Sequence, residues 1–289
     1  MNRPLAVITG ATSGLGRITA FELARRGYRL GVVARSRSRA DAFLSELRST
    51  VGDAEADVFH ADLGLVSQAR RVGEEIAARY PRLDVLVNNA GLHAFSQRIT
   101  AEGVAEMTAV NYLGPFALTQ ALTHTLSASG PARIVNVASE AAQQAGTVSP
   151  ARDLRHTAPY TRRESMALYG RTKLMTIMWT RELARRLDPA KVTVNCCDPG
   201  FNATGLGRDL PGSALLQRVL NTLRVGDPRK GAGIIVRLAT DPTFAHTSGG
   251  YFSVRGAKPL ECPEPGRDER VQGELWAETV ALLAGLATP

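Results

Sequence analysis

The sequence of 289 residues predicts a doubly wound α/β fold, a mostly parallel seven-stranded sheet with helices on both faces, and three observations predict it. Short apolar strands alternate with amphipathic helices along most of the chain, which implies right-handed βαβ crossovers and parallel pairing. The first strand runs straight into a glycine-rich turn at the mouth of a helix. Hydrophobic residues at 44% and charged residues at 21% suit a packed core and exclude a disordered, collagen-like or disulfide-dense chain.

Each element has its own signal. Leu5 to Thr9 (LAVIT) is a short buried strand, and Leu15, Ile18, Phe21 and Leu23 give helical spacing up to Arg26, where Gly27 closes the helix. Arg29 to Ala34 (RLGVVA) is a second apolar strand, followed by a helix from Arg39 to Ser49. Val58 and Phe59 end a third strand, Val66 to Tyr80 is helical, and Asp84 to Val87 (DVLV) begins a fourth strand. A long helix then leads to the strand Arg133 to Ala138 (RIVNVA). Further units are a helix from Ser165 to Leu187, a strand from Lys191 to Cys196, a helix from Arg229 to Ala239, a strand around Tyr251 to Val254 and a last helix from Asp268 to Leu283. No repeat or low-complexity linker interrupts the pattern, so one domain is expected over 1–289.

Composition narrows the partners. The formal net charge is +8, but the arginines are scattered, without a long basic run or the aromatic interleaving that single-strand binding needs, so no nucleic-acid partner is expected. The N-terminal MNRPLAVITG has too short an apolar run for a signal segment, and no stretch of about 18 uncharged apolar residues occurs. A soluble cytoplasmic protein without a membrane partner is expected. Three cysteines, with Cys196 and Cys197 adjacent, fit neither a disulfide framework nor metal-ligand spacing. They are read as small buried hydrophobes, and no metal is expected.

Three features carry chemistry. The turn Thr9-Gly10-Ala11-Thr12-Ser13-Gly14-Leu15-Gly16 spaces its glycines GxxxGxG, which lets backbone N–H groups approach a pyrophosphate at a helix N-terminus; by itself it is also ordinary loop chemistry. Where an NAD-selective fold would place an acidic residue after the second strand, the chain has Ala34-Arg35-Ser36-Arg37. A guanidinium cannot accept a ribose hydroxyl proton but bonds well to a 2′-phosphate, so NADP(H) is favoured, through Arg35; Arg37 and Arg39 read as solvated. Tyr169 and Lys173, four apart in YGRTK, share one helix face, where an ammonium can favour a phenolate; alone, they are equally a plain surface pair.

In chain order, TGATSGLG at 9–16, NNAG at 88–91, Asn111 in VNYLG, Ser139 ending IVNVAS, YGRTK at 169–173 and PG at 199–200 resemble the short-chain dehydrogenases/reductases. The glycine spacing resembles their compact single-domain branch. TRELARRL at 180–187, Ala61-Asp62-Leu63 and Ser248 to Phe252 (SGGYF) look like the retinol dehydrogenase and protochlorophyllide reductase neighbourhood, in pattern only, since many of those enzymes carry a membrane anchor.

The resemblance implies a Rossmann dinucleotide site and a catalytic set of Asn111, Ser139, Tyr169 and Lys173. Tyr169 would be the general acid or base and Ser139 a hydrogen-bond donor to the substrate oxygen. Lys173 would lower the tyrosine pKa and hold the nicotinamide ribose, and Asn111 would position a water reconnecting Lys173 to solvent. The cofactor would lie on Gly10, Thr12, Ser13, Gly14, Leu15, Gly16 and Arg35, with Asp62 and Leu63 at the adenine and Asn89, Ala90 and Gly91 along the adenosine. Tyr169, Lys173, Pro199, Gly200 and Thr204 would complete its nicotinamide end. A homodimer would follow family habit.

Two departures bear on substrate. An insertion is expected at 145–165, between Ser139 and Tyr169, with Arg152, Arg155, His156, Arg162 and Arg163 on a solvated flap. An apolar lid is expected at 205–226, from Leu206, Leu210, Leu215, Leu216, Val219, Leu220 and Leu223. His93 and Phe95, just past NNAG, are given no catalytic role. The expected activity is NADPH-dependent hydride transfer between nicotinamide and a ketone or secondary alcohol of a largely apolar small molecule, by analogy a tailoring reductase of secondary metabolism. The rivals are an NADPH-dependent C=C reductase and a non-catalytic NADP-sensing protein.

Overall fold

The structure is a computed structural model that describes residues 3–200 and 227–286. Seven strands, β1 (Leu5–Thr9), β2 (Arg29–Ala34), β3 (Ala56–His60), β4 (Val85–Asn88), β5 (Ala132–Val137), β6 (Val192–Asp198) and β7 (Tyr251–Ser253), form one sheet in the order β3-β2-β1-β4-β5-β6-β7. Every adjacent pair is parallel, so the sheet is parallel throughout rather than mostly so.

The helices are α1 (Gly14–Arg25), α2 (Arg37–Thr50), α3 (Val66–Arg79), α4 (Gly114–Ser129), α5 (Glu164–Arg186), α6 (Pro228–Thr240) and α7 (Glu269–Leu286). A helical turn at Glu106–Thr108 and a π turn at Ala109–Leu113 lead directly into α4. Most ends fall within a residue or two of those expected. The helix after β2 begins earlier than expected because Ser36 caps it, its side chain accepting from the Arg39 N–H.

Alternation along the strands builds two cores. Val7, Leu86, Ile134 and Cys196 face α3, α4, α5 and α7, whereas Ile8, Val87, Val135 and Cys197 face α1, α2 and α6. A sheet covered on both faces explains why its strands read as continuous apolar runs. Cys196, Cys197 and Cys262 are all free and buried. Among the described residues no helix is long and apolar enough to cross a membrane, and no group of His, Cys, Asp or Glu side chains could hold a metal ion.

The strand order reverses between β1 and β4, and a crevice opens there at the carboxyl ends of the strands. Thr9 and Asn89 stitch its floor. The Thr9 hydroxyl accepts from the N–H groups of Asn89 (3.0 Å) and Ala90 (2.9 Å), while Asn89 Nδ2 donates to Thr9 O at 2.9 Å. Beneath, Asn88 Nδ2 donates to Asn136 Oδ1 and Thr119 Oγ1, and Asn136 Nδ2 donates to Thr180 Oγ1, tying β4 and β5 to α4 and α5. A buried polar network of this kind ties together the elements it joins, although Asn88 Oδ1 is left without a hydrogen-bond partner among the described residues.

Candidate active site

A cleft of about 550 Å³ occupies this crevice. Its first wall is the glycine turn: Gly10, Thr12, Ser13, Gly14, Leu15 and Gly16 all line it. Gly10 (φ 70°) and Gly14 (φ 55°) sit in the left-handed region that favours glycine. A Cβ on Gly16 would fall within contact distance of Gly10 O and Asn89 Nδ2. Ser13, the residue before α1, makes no side-chain cap, so the first N–H groups of that helix stay open toward the cleft. A bare helix start behind a turn with no room for side chains fits an anionic diphosphate.

At the far end of that wall Arg35, Ser36, Arg39, Asp62 and Leu63 line the cleft. Arg35 Nη1 donates to Asp62 Oδ2 at a long 3.4 Å, and its side chain is 60% exposed, leaving most of its donors open to a ligand. Asp62 Oδ1 accepts from Gly64 N at 2.9 Å. Arg39, a solvated residue on the sequence reading, lines the cleft from the first turn of α2 together with Arg35, whereas Arg37 does not line it. Asn89, Ala90 and Gly91 form the opposite wall, and Pro199 and Gly200 close the end nearest β6. Thr204 and the expected lid at 205–226 lie outside the described residues.

Of the four residues expected to carry the chemistry, Ser139, Tyr169 and Lys173 line the cleft. Ser139 caps the turn that follows β5 and Tyr169 comes from the first turns of α5, and the two side chains are close enough for Ser139 to lower the phenol's pKa. What allows this closeness is Gly170: a Cβ there would collide with Ala141 O and stand 3.1 Å from Ala145 N in the turn that follows Ser139. Sequence reading passed over Gly170, although it sits inside YGRTK.

Asn111 stands behind the cleft wall, buried in the π turn. Its Oδ1 accepts from Leu92 N (2.8 Å), and its Nδ2 donates to Leu92 O (2.9 Å) and Thr172 Oγ1 (3.0 Å). The side chain therefore clamps the loop after β4 to α5. π turns recur at functional sites because they displace the local backbone from the helical ladder.

Electrostatics depart from the sequence expectation. Lys173 was expected to lower the tyrosine pKa. Instead burial pushes the Tyr169 phenol up to about 12, against a smaller lowering by Ser139, and burial pushes the Lys173 ammonium down to about 8. Both groups are driven toward neutrality because both have left water, and desolvation is the largest cause for each. Asp198, beneath Pro199, is also raised by burial and adds to the upward push on the phenol.

Most of the segment at 145–165 is exposed, and a few contacts tie it to the rest of the protein. It contains a short helix at Pro150–Leu154, and buried Asp153 pairs with Arg152 (3.0 Å) and Arg171 (3.5 Å). Arg155 reaches Glu278 on α7 at 2.8 Å, and Tyr160 OH donates to Ala94 O and Ser96 O. Arg162 lies over the Phe95 ring at 5.2 Å. Arg152, Arg155 and Arg162 thus each contact the protein while remaining exposed.

Comparison with known proteins agrees with this architecture. A family profile described as short chain dehydrogenase matches residues 4–151. Human retinol dehydrogenase 13 (Homo sapiens) is 35% identical over 289 residues, covering 98% of this chain and 85% of its own. A Streptomyces sp. (strain C5) protein provisionally named daunorubicin C-13 ketoreductase DnrU is 35% identical over 284 residues, covering 97% of this chain and 93% of its own. Among solved structures, a blue fluorescent protein from a metagenomic library, in complex with NADPH, aligns with a TM-score of 0.68 at 27% identity, covering 89% of this chain and 98% of that one.

Proposed function

The chain belongs to the short chain dehydrogenase family of oxidoreductases, and from that premise we propose that it is an NADPH-dependent reductase of a ketone on a largely apolar small molecule, with Tyr169 as the proton donor. The observation that carries this reading is that Ser139, Tyr169 and Lys173 come together on the wall of the cleft that the glycine turn opens.

A dinucleotide held on the α1 turn, with its 2′-phosphate at Arg35 and Arg39, supplies the hydride when bound. Asp62 and Leu63 would take the adenine, Asn89, Ala90 and Gly91 the adenosine, and Pro199 and Gly200 the nicotinamide end. Reduction puts negative charge on the substrate oxygen, and that oxygen needs a donor at the moment the charge develops. Tyr169 transfers its phenolic proton to it, and the Ser139 hydroxyl holds both oxygens in place. A phenol driven upward by burial is protonated at neutral pH, the state an acid needs.

Lys173, brought down to about 8, exchanges protons near neutral pH and can resupply the phenol. The Asn111 side chain, committed to Leu92 and Thr172, would act by holding the loop after β4 against α5 beside Lys173 rather than by binding a water itself. The similarity to a protein named for daunorubicin C-13 ketoreduction supports a ketone on a bulky skeleton and a place in secondary metabolism.

Incubation with NADPH deuterated at the transferable position tests the reading. Deuterium on a carbinol carbon, found by mass spectrometry and NMR, is expected. Deuterium on a saturated carbon next to an intact carbonyl would instead identify a C=C reductase.

A further inference from the structure

His93, in the loop after β4, lines the same cleft and is 9% exposed. Its ring lies against that of Tyr169, with centroids 4.9 Å apart and planes inclined by 25°. Phe95 packs on the imidazole as well, at 4.4 Å and 42°. On the polar side, His93 Nε2 is 3.1 Å from Ser165 Oγ, and Ser165 sits one turn before Tyr169 on α5.

The protons in this group can be assigned. The Ser165 hydroxyl donates to Arg162 O at 2.8 Å, and a carbonyl can only accept. A hydroxyl has a single proton; with it placed on Arg162 O, the shorter of the two contacts, the Ser165 oxygen is the acceptor toward His93 and the ring hydrogen is assigned to Nε2. Burial pushes the imidazole pKa down, which keeps the ring uncharged. The imidazole is therefore a neutral plate, fixed in its plane by Ser165 and laid on the phenol ring.

We propose that His93 is a positioning residue for proton transfer: clamped by Ser165, it holds the ring plane of Tyr169 so that the phenol hydroxyl stays on the Ser139 side of the cleft. The inference rests on the reading of Tyr169 as the proton donor. Its physical basis is that the Tyr169 ring can rotate about its own axis and swing at Cα–Cβ, and a neighbour packed face to face restricts both motions. A misplacement of the reacting group by about 1 Å can cost roughly a hundredfold in rate.

The test uses the full-length enzyme with NADPH and a reducible ketone. His93→Ala should lower kcat about tenfold or more while the KM for NADPH stays within about twofold, the signature of a group that acts at the chemical step. His93→Phe, which keeps a flat ring, should restore most of kcat. In enzyme labelled with ¹³C on its tyrosine rings, the Tyr169 signals, assigned with Tyr169→Phe, should move in His93→Ala and stay in His93→Phe. Nitrogen-15 spectra should show His93 as the neutral Nε2–H tautomer. Should His93→Ala fail to fold, Ser165→Ala removes the clamp and carries the same readouts. The proposal is overturned by a folded His93→Ala with unchanged kcat and unmoved Tyr169 signals, by a His93→Phe as slow as His93→Ala, or by an Nδ1–H tautomer. Because the NMR readouts need no turnover, a wild-type enzyme that reduces no ketone would count against the reductase reading while leaving this one tested.

Discussion

Lys173 Nζ donates its 2.8 Å hydrogen bond to Val137 O and stands 5.7 Å from the ring centre of Tyr169. The end of β5, rather than the phenol, holds the ammonium, and both groups are buried. Two ionisable groups removed from water together give the protein a pH signature of its own.

Stability should rise with pH as Lys173 loses its proton. Its folded pKa, about 8, lies below the unfolded value of 10.5, so between these two the unfolded chain binds more protons and the folded state gains as pH increases. Tyr169 works in the opposite sense at higher pH: its folded pKa, about 12, lies above the unfolded 10.0, so stability falls through that interval. Melting of the wild type and Lys173→Met from about pH 8 to about pH 10 isolates the first effect. The wild-type Tm should climb relative to the variant's over this range, and a constant difference would mean that Lys173 is not desolvated.

Cofactor choice should depend on Arg35 and, in the same direction, on Arg39. A charge-assisted bond to a phosphate contributes roughly 1.5–3 kcal/mol, which is about tenfold to a hundredfold in affinity. Arg35→Ala should weaken NADPH by that factor and NADH by about twofold or less, as read by cofactor fluorescence titration. Equal losses for both cofactors would remove the 2′-phosphate from this corner of the cleft.

Gly170→Ala should separate Tyr169 from Ser139 without touching the dinucleotide wall. The added methyl meets Ala141 O, a backbone atom that cannot swing aside, so α5 or the turn must shift, at a cost of about 1–3 kcal/mol. A lower Tm and a kcat reduced by about tenfold or more are expected, with NADPH affinity held within about twofold. Gly233→Ala on α6, where a Cβ meets nothing within 4 Å, is the control and should be neutral or slightly stabilising. Similar kcat losses in both variants would contradict the packing argument.

The strands were legible in sequence because a sheet buried on both faces leaves uninterrupted apolar runs, and the glycine turn because its position after β1 is local. Tyr169, Lys173 and Ser139 were legible as motifs, and their meeting across β5 and α5 needed only the fold. What the sequence hid is tertiary. The clamp that Asn111 places on Leu92 depends on a π turn with no signature in VNYLG. The direction of the Tyr169 and Lys173 shifts depends on desolvation, which residue spacing cannot report. Arg39 looked like any arginine at a helix start, and His93 like a lone loop histidine, until the cleft gave each a neighbour.

The most direct trial of the account is the steady-state rate of NADPH oxidation by Tyr169→Phe against a ketone that the wild type reduces, with NADPH affinity measured separately on the same preparation. Loss of the phenolic proton should lower kcat by about a hundredfold or more while the NADPH dissociation constant stays within about twofold. A variant that turns over at the wild-type rate, with cofactor binding intact, would show that the proton comes from elsewhere.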